Sequence, residues 1–130
     1  QNFLSNAVRY TGSGRITMAA TATHAGIRIA VSDTGPGIAR SDQAIIFEEF
    51  RRLPGSPDRV DRGIGLGLAI VQRAATTLGV PIDLESAPGS GSCFAVTVPA
   101  AAAHGDAAAA ERTNRSAGVG SATVLVIDNE

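Results

Sequence analysis

The chain has no lysine: all eleven of its basic residues are arginine. Together with the many alanines this reads as a bias of genome composition, and it also removes the lysine that a P-loop needs directly after its glycines. A single cysteine, Cys93, excludes an internal disulfide, and its place in an alternating apolar run predicts a buried structural thiol rather than a nucleophile. No apolar stretch approaches the length of a bilayer crossing and there is no signal peptide, so the segment itself is not expected to be membrane-inserted. A net charge of −1 and a pI near 6.1 give no electrostatic reason to expect nucleic acid or an anionic membrane as partner.

What is present suits one domain with a modest core, since 130 residues are 44% hydrophobic. The chain starts within an element at Gln1 and stops at Glu130 straight after a strand-like run, which reads as a piece of something larger. Residues 1–10 predict a helix on which Asn2, Asn6, Arg9 and Tyr10 share one face, with Phe3, Leu4, Ala7 and Val8 left to pack on a sheet. Asparagine is a poor helix former, so two inside one helix ask for a reason. A carboxamide oxygen is a hard, neutral ligand for Mg2+, Arg9 can meet a phosphate and Tyr10 a base; the same stripe also suits a solvated face.

Ile16, Met18 and Ala20 alternate in a predicted strand, and His24-Ala25-Gly26 returns the chain into a second one with Ile27, Ile29 and Val31 inward. His24 at that tip reads as a solvated turn residue. The second strand ends in Asp33-Thr34-Gly35-Pro36-Gly37-Ile38, a carboxylate followed by glycines that allow close approach of a ligand, though Asp, Gly and Pro are also ordinary turn residues. Phe47 and Phe50 are expected to anchor the near end of a loop, residues 39–62, whose prolines and mixed charges suit either a lid or a surface insertion. Gly63-Ile64-Gly65-Leu66-Gly67-Leu68 then opens a helix with apolar Leu66, Ile70, Val71, Ala74 and Leu78, stopped by Gly79 and Pro81. Its first turn, bare of side chains at Gly65 and Gly67, is an anion site. A hairpin follows through Ile82, Leu84, Pro88-Gly89-Ser90-Gly91, Phe94, Val96 and Val98. Residues 100–121 read as a linker, and Thr123 to Glu130 as the first parallel strand of another domain rather than a further strand of this one.

The ordered boxes Asn-Phe-Leu-Ser-Asn-Ala-Val-Arg-Tyr-Thr, Asp-Thr-Gly-Pro-Gly-Ile, Ile-Phe-Glu-Glu-Phe-Arg-Arg and Gly-Ile-Gly-Leu-Gly-Leu-Ala-Ile-Val resemble the ATP-binding catalytic domain of a sensor histidine kinase, over residues 1–99. The resemblance implies an α/β fold, a two-layer α/β sandwich of the gyrase-type (Bergerat) class in which helices cover one face of a mixed sheet. It implies ATP and Mg2+ as cofactors, with Asn6 on the metal and Asn2 close by. Arg9 and Arg52 would face the phosphates, and Tyr10 would pack by the adenine, whose amino group Asp33 would accept. Gly35 and Gly37 would shape the base pocket beside Ile38. Gly63, Gly65, Leu66, Gly67 and Leu68 would wrap the phosphates, with Ser92 near the base. The catalytic set implied is Asn6, Arg9 and Arg52.

The tail, residues 122–130, resembles the first strand of a receiver domain and implies a hybrid kinase. The implied partners are the dimerisation and histidine-phosphotransfer domain of the same parent and a receiver domain, in the cytoplasm, whether or not the parent is anchored to a membrane. Arg9 stands where the family usually has Lys, and Asn129 replaces one of the receiver's acidic pair. A stand-alone ATPase clamp of the same fold and a nucleotide sensor without phosphotransfer are the alternatives. Clamps carry a Glu where this chain has Asn2, and an amide cannot act as a base.

Overall fold

The computed structural model describes residues 1–52 and 64–99 and, as backbone, 123–129. Nine residues, Asn2–Tyr10, form α1. Two long strands, β1 (Gly14–Thr23) and β2 (Gly26–Asp33), follow as a hairpin turning at His24 and Ala25, both exposed. A 3-10 turn at Ile45–Phe47 precedes α2 (Gly67–Leu78), and β3 (Ile82–Ser86) and β4 (Ser92–Val98) form the second hairpin. Thr123–Asn129 is β5, and the sheet order is β3-β4-β2-β1-β5.

The period of two sorts each strand between the two faces. Ile16 and Val31 are buried with Ala7 of α1, and Phe3 and Leu4 pack against them. In the next row Val31 stands across from Phe94, whose ring stacks on Phe3 at 5.2 Å and meets the edge of Phe47 at 6.4 Å. Each such aromatic pair adds about 0.5–1.5 kcal/mol beyond the area it buries. The opposite face carries Ser32, Ala30, Arg28, Cys93, Thr97, Asp83 and Glu85 by register. Cys93 is therefore half-buried on the face away from α1, not in the core that its apolar neighbours suggested.

Helix α2 packs on α1 and on the 3-10 turn. Its inward positions are Leu68, Val71 and Ala75, whereas Ile70 and Leu78 are 56% and 73% exposed. Of the stripe expected from Leu66, Ile70, Val71, Ala74 and Leu78, Val71 faces inward as expected, whereas Ile70, Ala74 and Leu78 are exposed; an apolar helix rich in alanine offers more than one stripe, and contact with α1 selects one. Val8 is likewise 53% exposed, outside the packed face of α1. Phe47 anchors its segment on Phe94, but Phe50 is 66% exposed and does not. The end of α2 matches expectation closely: Gly79 is left-handed, its N–H donates to the Thr76 carbonyl at 3.2 Å, and Val80 N–H donates to Ala75 at 2.9 Å. That pair of bonds is a Schellman cap.

The two-layer α/β sandwich is as expected, with two differences. Every pairing among the described strands is antiparallel, where a mixed sheet was anticipated. The strands joined through α2, β2 and β3, do run parallel to each other, but β4 inserts between them and pairs antiparallel with both. The second difference is β5. Its backbone pairs with β1 from Gly14↔Asn129 to Ala20↔Thr123, as a fifth strand of this sheet. The outer edge of β1 otherwise presents unpaired N–H and C=O groups, and a β-branched apolar segment satisfies them. The expected linker, 100–121, lies outside the described residues.

Candidate functional site

One end of the site is built where β2 stops. Asp33, half-buried, accepts the Gly35 N–H on Oδ1 at 2.8 Å, closing a turn around its own side chain. A Cβ on Gly35 would stand 2.8 Å from that oxygen and 3.3 Å from the Tyr10 carbonyl, so the turn is pressed against the C-terminal end of α1. Gly37 and Gly91 both have positive φ, +70° and +76°. A Cβ on Gly37 would collide with the Ala87 carbonyl, and one on Gly91 with the Asp33 carbonyl. Room that glycine was expected to leave for a ligand is here filled by protein backbone, because the turn and the β3–β4 hairpin close on each other. Gly89 N–H donates to the Pro36 carbonyl at 2.7 Å in the same closure. Ile38 donates its N–H to Ser86 Oγ at 2.8 Å, and Ser92, 8% exposed, stands directly across from Asp33.

The other end is looser. Asn2 Nδ2 donates to the Gly67 carbonyl at 3.2 Å, tying the first turn of α1 to the first turn of α2. Asn6, one turn further and half-buried, makes no side-chain hydrogen bond among the described residues. Arg9 is exposed in the last turn of α1, where it also complements the helix dipole; Tyr10 is half-buried. Leu66 precedes α2 without a side-chain cap, and no acidic residue occupies the first turn, so the positive end of the helix remains for an anion. Gly65, at φ +77°, accepts the Phe50 N–H at 3.0 Å. Phe50 itself adopts φ +60°, the one such non-glycine among the described residues. Arg52 is exposed beyond it, next to Arg51, which pairs with Glu48 at 2.8 Å. Gly63 lies outside the described residues.

Helix α1 joins these two ends. Nine residues span about 13 Å, and the helix touches Gly67 at its start and Gly35 at its finish. Asp33, Gly35, Gly37, Ile38 and Ser92 are brought together at one end, and Asn2, Leu66, Gly67 and Leu68 at the other, with Asn6 between. Arg9 and Arg52 are placed on the exposed side without a described partner in the set. The described residues hold no cluster of three or more His, Cys, Asp or Glu, so a cation here would need oxygens from a carboxamide and from its own ligand. Of the long loop expected over residues 39–62, the part 39–50 is tied down by bonds such as Asp42 N–H to Ala39 at 2.8 Å and Ile46 N–H to Asp42 at 3.1 Å, and 53–62 lies outside the described residues. A shallow groove between Phe47, Glu49, Ala69, Arg73 and Thr76 lies apart from the expected site residues, bordered by the 3.6 Å Arg73–Glu49 pair.

Two residues here went unremarked in the sequence. Gln43 and Ser86 hold the turn that follows Asp33, and Ser86 had a signal: the alternation Ile82, Leu84, Ser86 puts a hydroxyl on the core face where an aliphatic residue belongs.

The family model for the histidine kinase-, DNA gyrase B-, and HSP90-like ATPase matches residues 1–102. Sensor-like histidine kinase SenX3 of Mycolicibacterium smegmatis is 40% identical over 99 residues, which are 75% of this chain and 26% of that protein. Sensor histidine kinase AtsR of Burkholderia thailandensis is 41% identical over 102 residues, 75% of this chain and 17% of its own. The chain therefore spans about a quarter or less of the length of these curated relatives. Among solved structures, full-length ShkA in complex with AMPPNP shares 36% identity at a TM-score of 0.62, over 76% of this chain and 21% of that one. With the fold, the ordered boxes and the family model in agreement, the chain belongs to the histidine kinase-, DNA gyrase B- and HSP90-like ATPase family, and within it is of the sensor histidine kinase type.

Proposed function

We propose that this chain is the ATP-binding catalytic part of a sensor histidine kinase, which holds ATP–Mg2+ and donates the γ-phosphoryl group to a histidine on a separate dimerisation domain of its parent. The observation that carries this is α1, a helix with a carboxamide at its start on Gly67 and its end against the Asp33 turn. A nucleotide laid along it has its base at Asp33 and its phosphates at the start of α2. The residues fit such a ligand: Asn6 is half-buried with no side-chain hydrogen bond among the described residues, and α2 opens without a cap or an acidic side chain. Asn6 would hold Mg2+, Arg9 and Arg52 would balance phosphate charge, and Asp33 would accept the adenine amino group beside Tyr10 and Ser92. When bound, ATP supplies a γ-phosphoryl group whose bond to the β,γ-bridging oxygen breaks as one to the partner's imidazole nitrogen forms, with ADP leaving. Positioning and charge neutralisation are what such a transfer asks of a protein.

Water activation asks for a base. Asn2 is a carboxamide, and its amide is committed as a donor to Gly67, which favours the kinase over an ATPase clamp. Residues 1–99 are the catalytic domain in this proposal and 100–121 the connection onward. The receiver assignment of 122–130, and with it a hybrid parent, rests on the sequence Val-Leu-Val-Ile-Asp-Asn-Glu alone, and the antiparallel pairing of Thr123–Asn129 with β1 stands against it. No helix among the described residues is long and apolar enough to cross a membrane, in keeping with a catalytic part on the cytoplasmic side.

The test is transfer from γ-labelled ATP. The chain alone should bind ATP, release phosphate very slowly and stay unlabelled, and should label the dimerisation domain when the two are combined. Rapid ATP turnover by the unmodified chain, abolished by Asn6→Ala, would establish the clamp ATPase instead.

A further inference from the structure

We propose that Ser86 is a positioning residue for base selection, fixing Ser92 as a pure acceptor beside Asp33; this rests on the assignment of the Asp33 end to the base. A serine hydroxyl has one proton to give and two lone pairs to receive with. Ser86 Oγ accepts the Ile38 N–H at 2.8 Å and lies 2.9 Å from the Gly91 carbonyl, which can only accept. Its proton therefore goes to Gly91. The remaining lone pair faces Ser92 Oγ at 3.0 Å, so Ser92 must be the donor in that contact.

The consequence reaches the ligand side. With its proton spent on Ser86, Ser92 offers only lone pairs elsewhere, and it is buried directly across the β2–β4 ladder from Asp33. Asp33, Ser92 and Ser86 form one row across three strands, on the same face as buried Ile16. Asp33 as a carboxylate is also an acceptor. Two acceptors side by side suit a base edge that donates, such as an exocyclic amino group, and repel one that presents a carbonyl oxygen.

Gln43 holds this arrangement from behind. Its Nε2 donates to the Ile38 carbonyl at 3.1 Å and to the Ser86 carbonyl at 2.9 Å. Ile38 and Ser86 are thus joined twice, once through the Ser86 hydroxyl and once through the Gln43 amide. The hydroxyl alone sets the proton direction at Ser92.

The experiment uses the full 130-residue chain with ADP, GDP and inorganic tripolyphosphate as probes, each titrated with Mg2+ by calorimetry. Ser86→Ala should weaken ADP by about fivefold, the loss of one neutral hydrogen bond, and narrow the ADP-to-GDP ratio, with tripolyphosphate affinity unchanged. Ser86→Thr, which keeps the hydroxyl, should restore the ratio. Gln43→Met should lower the melting temperature yet preserve the ratio, because it leaves the proton direction alone. Should Ser86→Ala fail to fold, Ser92→Ala reads the same ratio from the acceptor side and should narrow it. A ratio unchanged in folded Ser86→Ala or in Ser92→Ala overturns the proposal while leaving the nucleotide site intact. Failure of the unmodified chain to prefer ADP over GDP overturns it together with the base assignment.

Discussion

The two ends of α1 are built on different plans. At the Asp33 end, the β2 turn, the hairpin and the segment around Gln43 interlock through the Ser86 and Gln43 bonds and through glycines at Gly37 and Gly91 that admit no side chain. At the Gly67 end, the Asn2 bond at 3.2 Å and the Phe50–Gly65 bond at 3.0 Å are the described tethers, and the charged group Arg52 is exposed. A base needs a pocket of fixed shape to be told from another base, and fixed shape comes from closed hydrogen-bond networks. Phosphates need charge and N–H groups that can gather round them, which an open helix end provides without prior assembly. With base and phosphates assigned as proposed, one end is a mould and the other a clasp, and the contrast can be broken experimentally at either.

The largest effect is expected from the mould. Gly91→Ala puts a Cβ into the Asp33 carbonyl at a φ of +76°, where L side chains are disfavoured even in open space. Thermal melting should show the chain unfolded or severely destabilised. A cooperative melt near that of the unmodified chain would mean that the hairpin and the turn are not locked together.

Next is Asp33→Asn. A carboxylate that accepts a ligand's amino proton contributes about 1.5–3 kcal/mol, hence roughly 10- to 150-fold in ADP affinity. The Gly35 N–H still finds a carbonyl oxygen on the amide, so the melting temperature should change little. Unchanged affinity, or collapse of the fold, would take the base away from this end.

These two positions also show what could be read in the chain beforehand. Alternation in Ile16 to Ala20 and Ile27 to Val31 located β1 and β2, and Gly79 located the end of α2, because local chemistry decides them. Asp33 and the glycines were visible as a cluster, but what Gly37 and Gly91 pack against was not, since Ala87 and the Asp33 carbonyl become neighbours only through sheet order. The inward stripe of α2 and the exposure of Phe50 failed for the same reason: apolar residues recur on more than one face, and tertiary contact picks between them. Edge pairing of β5 with β1 depends on which backbone groups lie open, which no local pattern records.

At the clasp the expected effects are smaller. Asn2→Ala removes one half-buried hydrogen bond to Gly67, a loss of about 0.5–1.5 kcal/mol. Chemical denaturation should register that loss. Affinity for ADP should fall less than in Asp33→Asn, because the end proposed for the base is untouched. A larger loss of ADP binding than in Asp33→Asn would reverse the roles assigned to the two ends.

The smallest effect, and the sharpest test of the contrast, is at Phe50. Its φ of +60° is a left-handed conformation that costs an ordinary residue roughly 1–2 kcal/mol. The residue is 66% exposed, so little burial offsets that cost. Glycine adopts the same angle freely but gives the unfolded chain more entropy, a penalty of about 0.5–1 kcal/mol. Phe50→Gly should therefore leave stability unchanged or raise it by less than about 1 kcal/mol, as read from the denaturation midpoint. A strained residue that stability does not require, bonded to Gly65 just ahead of α2, points to a conformation kept for the ligand's sake. If so, the same variant should weaken tripolyphosphate while ADP-to-GDP selectivity, set at the other end, stays as it was. Marked destabilisation by Phe50→Gly would show instead that the ring is a structural anchor, and the clasp would then be as rigid as the mould.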